Sequence, residues 1–253
     1  MAAALMILWN LAFCAAEPKP TPLQAGARTV VQAIVKRAAE NAALAPNDRR
    51  KLAKDSLTAE LLRTGAAAAL ELPEPQRAAA FLVGAGIALD DSPLLRTNLL
   101  TRGVCAAVES EAEFKARREV LGEPTIHNRR DLCQHFVVSM ALTALAGAEG
   151  AEAAGVAKEL LDMRGGSGFS FVDLAADLAG VELGKRVTAE PEGLKAIARG
   201  FRIEDRMPEI RGLREGYDEA RFKKEMGSTS DPRYKDVLQD IRGRIARLDA
   251  YRK

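Results

Sequence analysis

From Ala27 onward, apolar residues recur three and four positions apart in one segment after another, and no run strictly alternates polar with β-branched residues. The first pattern lays an apolar stripe along a helix; the second, which a half-buried strand needs, is missing. Alanine supplies much of the 47% hydrophobic content, and aromatics make up only 5%. Alanine loses no side-chain entropy in a helix and lets helices approach closely. The expectation is therefore an all-α, multi-helix bundle, with enough chain for one large domain or two small ones.

The N-terminus reads as an export signal over residues 1–16. "AAALMILWNLAFCAA" is an apolar run too short for a membrane span, and small residues at Cys14-Ala15-Ala16 precede the polar "EPKPTP". Lipidation of Cys14 and an uncleaved N-terminal anchor are the alternatives. Cleavage would leave Cys105 and Cys133. These two either pair in an oxidising compartment or stay as buried thiols in apolar helices.

Residues 17–26 are Pro-rich and expected to form a flexible leader. An N-terminal helical region follows over 27–122. In it, "ARTVVQAIVKRAAENAAL" is a helix ended by Pro46, and "NDRRKLAKDSLTAELLRTG" one that starts at Asn47 or Asp48 and stops at Gly65. "EPQRAAAFLVGAGIALD" is apolar on most sides, which suits the centre of a bundle. Its "GAGIAL" follows no strand and lacks a third glycine, so it reads as small-residue helix packing rather than a dinucleotide loop. Helices are also expected at 92–107 and 109–121.

Three helices are expected in the next region, 123–184: from Asp131 to Gly147, from Glu149 to Met163, and from Ser170 to Gly184. "GGSG" at 165–168 breaks the last two apart. Ser170 with Asp173 three residues on has the spacing of a capping box. Residues 185–253 form a charged helical C-terminal extension, with eighteen basic against thirteen acidic side chains. Asp231 and Pro232 open its final helix, and Ile241, Ile245 and Leu248 give that helix a stripe to pack on the body.

Three pairs of ionisable residues share one geometry. Asp131 and His135 are four apart, Glu159 and Asp162 three, Asp173 and Asp177 four. Each pair lies on one helical face. If the three helices pack together, these groups converge in apolar surroundings, where each needs a partner. His135, Glu159, Asp162 and Asp177 are the candidates for metal ligation or acid/base catalysis. A mixed nitrogen and oxygen set suits Zn, Mn or Fe, and a bound metal would activate water. Asp131 and Asp173 have local alternatives, as a first-turn carboxylate and a cap partner. The competing reading is a structural polar network in which Lys158 neutralises the acids. "GGSGFS" lacks the lysine of a phosphate-binding loop, so it reads first as a helix connection.

"DLCQHFVVSMALTALAG" followed by "GVAKELLDMRGGSGFSFVDLAADLAGVELG" resembles the YfiM-like periplasmic lipoprotein domain, itself similar in pattern to the VanZ-like domain. The matching positions are Asp131, His135, Phe136, Ser139, Lys158, Glu159, Asp162, Gly168, Ser170, Asp173, Asp177 and Gly180. They fall within residues 130–184, under a quarter of the chain. The resemblance implies a cell-envelope setting and a helical hairpin with a third helix, but no defined activity. It departs from VanZ-like proteins in having shorter, more alanine-rich helices than membrane spans.

These features together predict an exported cell-envelope protein in a binding or scaffolding role, with a buried His/carboxylate cluster. The alternative is a metal-dependent hydrolase acting on an envelope lipid or glycan. Expected partners are an envelope component or anionic lipid, the latter through peripheral membrane association of the basic tail. A formal charge of only +2, with no basic pattern interleaved with aromatics, argues against nucleic acid.

Overall fold

The computed structural model describes residues 19–99 and 101–252; the segment expected to be an export signal, with Cys14, lies outside them. The described residues form twelve helices joined by loops, and their β-structure amounts to three isolated bridges. The fold is an all-α bundle. One hydrophobic core runs through all three regions of the chain.

The first helix, α1 (Pro22–Ala42), starts earlier than its apolar pattern suggests. Thr21 and Gln24 form a reciprocal capping box and Pro22 occupies the first helical position. Those local signals make residues 22–26 helical, not part of a flexible leader. The single helix expected from Asn47 to Gly65 is two: α2 (Pro46–Arg49) and α3 (Lys54–Leu70). Gly65 does not end α3, because it packs against Ile34 and the helix continues through the alanine run to Leu70. In α4 (Glu74–Leu89), every residue from Ala80 to Leu89 is buried. Its glycines serve as close-packing points: Gly84 meets Val30 of α1, and Gly86 meets Ala141 of a later helix. The helix expected over 92–107 divides into α5 (Leu94–Thr97) and α6 (Arg102–Val108), followed by α7 (Glu111–Val120).

The next helix, α8 (Arg130–Asp162), is interrupted at Gly147, where φ is +76° and ψ is 168°. That left-handed φ is cheap only for glycine. Two arms result, 130–146 and 148–162, which are the first two helices expected from the sequence. By length and composition alone α8 would be long and apolar enough to cross a membrane, but half of its apolar window is buried inside the protein. The break leaves arms of about 25 and about 22 Å, at about 1.5 Å per residue. α9 (Phe171–Ala189) makes its largest interface with α8. Gly180 allows that approach, since an added Cβ would stand 2.2 Å from the Phe136 carbonyl oxygen.

The C-terminal region contains α10 (Pro191–Arg199), α11 (Glu219–Met226) and α12 (Pro232–Ala246). Ile241 and Ile245 are buried where α12 packs on the body, as their stripe predicts. The non-helical stretch 200–218 is integral to the core. Tyr217 and Phe169 exchange backbone hydrogen bonds of 2.8 and 3.0 Å, and Phe171 N–H donates to the Arg214 carbonyl. Phe169, Phe171, Tyr217, Phe222 and Tyr234 then form one cluster of edge and tilted ring contacts. The region is thus a strap around the glycine turn, more than an appended extension.

Cys105 and Cys133 are both buried and both free. Burial pushes the Cys133 thiol up to about 12 and the Cys105 thiol up to about 11. At pH 8 the thiolate fraction is then on the order of one in a thousand or less. Cys14 aside, neither thiol is expected to react with a disulfide reagent in the native protein, and both should react in denaturant. A native thiol titrating within minutes would contradict this packing.

Candidate functional site

Three segments build the site: the first arm of α8 carries His135 and Ser139, the second carries Lys158 and Glu159, and α9 carries Asp173 and Asp177. The Gly147 break folds the two arms of α8 so that both face α9. His135 Nδ1 lies 3.1 Å from Asp177 Oδ1, and the Ser139 hydroxyl donates to the same oxygen at 2.8 Å. On its other side, His135 Nε2 is 3.7 Å from Asp173 Oδ2. Burial by itself lowers the imidazole pKa, but the Asp177 and Asp173 carboxylates outweigh it and hold His135 above its ordinary value. The imidazole thus stands between two carboxyl groups that favour its protonated form.

Glu159 is fully buried and also satisfied. Lys158 Nζ donates to Oε1 at 3.0 Å, and the Ser170 backbone N–H donates to Oε2 at 2.8 Å. Burial pushes its pKa up, opposed by Lys158. The carboxylate sits at the N-terminus of α9, where orphan N–H groups favour an anion. The anion that "GGSGFS" is shaped to receive is therefore the protein's own Glu159.

This arrangement corrects two expectations. The Ser170–Asp173 capping box is only half formed. Ser170 Oγ accepts from Asp173 N–H at 3.0 Å, but the Ser170 N–H that Asp173 would accept from is taken by Glu159. Asp173 is released to face His135 and, at 3.6 Å, Arg129. Burial raises its pKa, with His135 opposing. Asp162 stands outside the cluster. It lies one turn beyond Glu159, is partly exposed, and is held by Lys158 at 2.8 Å. Asp131 is also peripheral. Burial would raise its pKa, but the bond from Arg129 at 2.6 Å holds it below the ordinary value. His127 lies apart, its Nε2 3.2 Å from the Pro208 carbonyl oxygen.

His135, Glu159 and Asp177 each offer a ligand atom within 4.8 Å of the others, so the cluster could hold a metal ion. Binding one would require the neutral imidazole and would draw Glu159 away from Lys158. Beside the cluster opens a cleft of about 370 Å³. His135, Ser139, Lys158 and Asp177 line its polar floor; Pro93, Leu94, Leu95, Val138, Leu142 and Ala154 line its apolar walls. Asp177 is 3% exposed, and its second oxygen, Oδ2, has no hydrogen-bond partner among the described residues. Gly155 leaves that oxygen room, since an added Cβ would sit 2.8 Å from it. The α5 wall was not legible in the sequence, because nothing in "SPLLRTN" marks it as facing residues some forty positions later. Arg129 escaped notice for the same reason.

No family model, no curated protein and no solved structure matches the chain.

Proposed function

We propose that this chain is a binding protein of the cell envelope, and that its cleft takes a small amphiphile with a donor-bearing head group. The observation that carries this reading is Asp177, which lines a mostly apolar cleft and whose buried Oδ2 has no partner among the described residues. A volume of about 370 Å³ falls in the usual range for small-molecule sites. The head group, an amine or hydroxyl, donates to Asp177, while the chain lies along Leu95, Val138 and Leu142. The envelope setting is supported by the export signal and the YfiM-like resemblance in the sequence. A fusion of the first 30 residues to a reporter active only after export tests it.

Titration with dodecylamine, followed by thermal melting, tests the cleft. Saturable stabilisation is expected. Asp177→Asn should weaken it about tenfold or more, the worth of a hydrogen bond to a charged group. Leu142→Trp should block the chain and abolish binding while leaving Asp177 intact. Equal affinity in Asp177→Asn and the parent would sink the proposal.

The 4.8 Å grouping of His135, Glu159 and Asp177 favours a second reading, a metal site for Zn, Mn or Fe in a hydrolase acting on an envelope lipid or glycan. The Lys158 ion pair opposes it, since Glu159 is already neutralised there. Elemental analysis decides between them. The amphiphile reading predicts no stoichiometric metal. Stoichiometric metal that is lost in Glu159→Gln would establish the metal centre instead.

A further inference from the structure

A second cavity, of about 260 Å³, lies between α9, α10 and the C-terminal Ala250–Tyr251 segment. It shares no lining residue with the Asp177 cleft. Arg206 lines it and is only 7% exposed; among the described residues it forms no ion pair, and its Nε is buried without a hydrogen-bond partner. Its one side-chain contact of note is stacking over Phe201, with Cζ 4.9 Å from the ring centroid. Tyr251 lines the same cavity, is 4% exposed, and leaves its hydroxyl without a partner. An unpaired buried guanidinium is costly, and folded proteins rarely keep one without a counter-ion.

The other charges facing this space are accounted for. Arg186 is committed to Glu182, Glu190 and the Tyr251 carbonyl. Glu190 is thereby neutralised, and Glu192 is held by Lys195 at 2.7 Å. Arg199 is exposed at the rim, 3.9 Å from Glu192. Among the lining residues, the polar groups left without a partner are therefore donors: Arg206 Nε and the Tyr251 hydroxyl. Its volume is that of several waters, at about 30 Å³ each, which admits a compact oxyanion.

We propose that this cavity binds a phosphate-type oxyanion, with Arg206 as its counter-ion and the Tyr251 hydroxyl as a second donor. Arg199 adds positive charge at the entrance. The anion is either free in solution or carried on a lipid head group, and the fork of the guanidinium suits both.

The test is phosphate titration at constant ionic strength, read by thermal melting and by ³¹P line broadening, with chloride as control. The full chain is expected to show saturable stabilisation by phosphate. Arg206→Met should lose it, with binding at least about tenfold weaker. Arg206→Met should also melt higher than the parent when no phosphate is present, because it removes an unpaired buried charge. Tyr251→Phe keeps the packing, loses one donor, and should weaken phosphate severalfold. Co-flotation with phosphatidylglycerol vesicles, but not phosphatidylcholine vesicles, and its loss in Arg206→Met would assign the anion to a lipid head group. Phosphate binding without flotation would assign it to a soluble anion. Absence of both, or equal phosphate response in the parent and Arg206→Met, overturns the site.

Discussion

Replacing Arg117 by alanine is expected to lower the free energy of unfolding by about 3 kcal/mol, the low end for breaking a buried ion pair, because Arg96 still faces Glu109. Arg117 is 1% exposed and Glu109 is 2% exposed. The guanidinium donates twice to Glu109, from Nε to Oε1 at 2.7 Å and from Nη2 to Oε2 at 3.0 Å. It also donates to the Ala88 carbonyl at 2.7 Å and the Asp90 carbonyl at 3.2 Å. Those carbonyls lie at the C-terminal end of α4, where the helix leaves acceptors unused. One side chain therefore neutralises a buried acid, caps the central helix and ties α7 to it. Alanine would leave Glu109 with Arg96 alone, at 2.6 Å. Typical domains are stable by only about 5–15 kcal/mol, so the loss should be plain in a urea melt. Lysine should not restore it, because a point charge cannot make the bidentate contact. A loss under about 1 kcal/mol would mean the network is dispensable.

The second large effect is expected at Gly180. Alanine there places Cβ 2.2 Å from the Phe136 carbonyl oxygen and 3.0 Å from its carbon. Both are backbone atoms, so no rotamer relieves the overlap and α8 must move away from α9. Overpacking of this kind costs about 1–3 kcal/mol, and a clash with backbone belongs at the upper end. The functional consequence is sharper. His135 immediately precedes Phe136, and Asp177 lies three residues before Gly180, so the 3.1 Å His135–Asp177 contact opens with the interface. Gly180→Ala should lose dodecylamine binding even below its melting temperature. Gly103→Ala is the matched control. It is helical with nothing within 4 Å of an added Cβ, and should gain about 0.5–1 kcal/mol. Equal effects at the two glycines would refute the close-approach argument.

The cluster was partly legible in the sequence because helical spacing is local information. Glu159 and Asp177 lie on helices whose periodicity marks them as buried, and His135 sits in an unbroken apolar run. Their convergence needed only that the three helices pack, which short connections favour. The ranking among the acids was not legible. Asp173 has the spacing of a cap partner, yet Glu159 occupies the position it would have filled. Asp162 and Glu159 look equivalent three residues apart, but one is fully buried and the other is partly exposed beside Lys158. A difference of one helical turn sets which of them meets α9. The five-ring cluster joins residues from 169 to 234, and no local pattern announces it.

By itself the sequence determined the all-α class, the central place of α4, the break near Gly147 and the burial of Ile241 and Ile245 in α12, though Leu248 lies beyond the helix and is half-buried. These follow from residue spacing, glycine conformation and capping, which act within a few positions of the chain. Only the tertiary structure decided which buried polar atoms find partners. Glu159 found Lys158 and the α9 N-terminus, while among the described residues Asp177 Oδ2 and Arg206 Nε found none. Pairing at that level depends on the separation of side chains from distant helices to within about an ångström, because a hydrogen bond fails over that distance. Spacing along the chain carries no such resolution, so both proposed ligands rest on atoms that only the packed fold could single out.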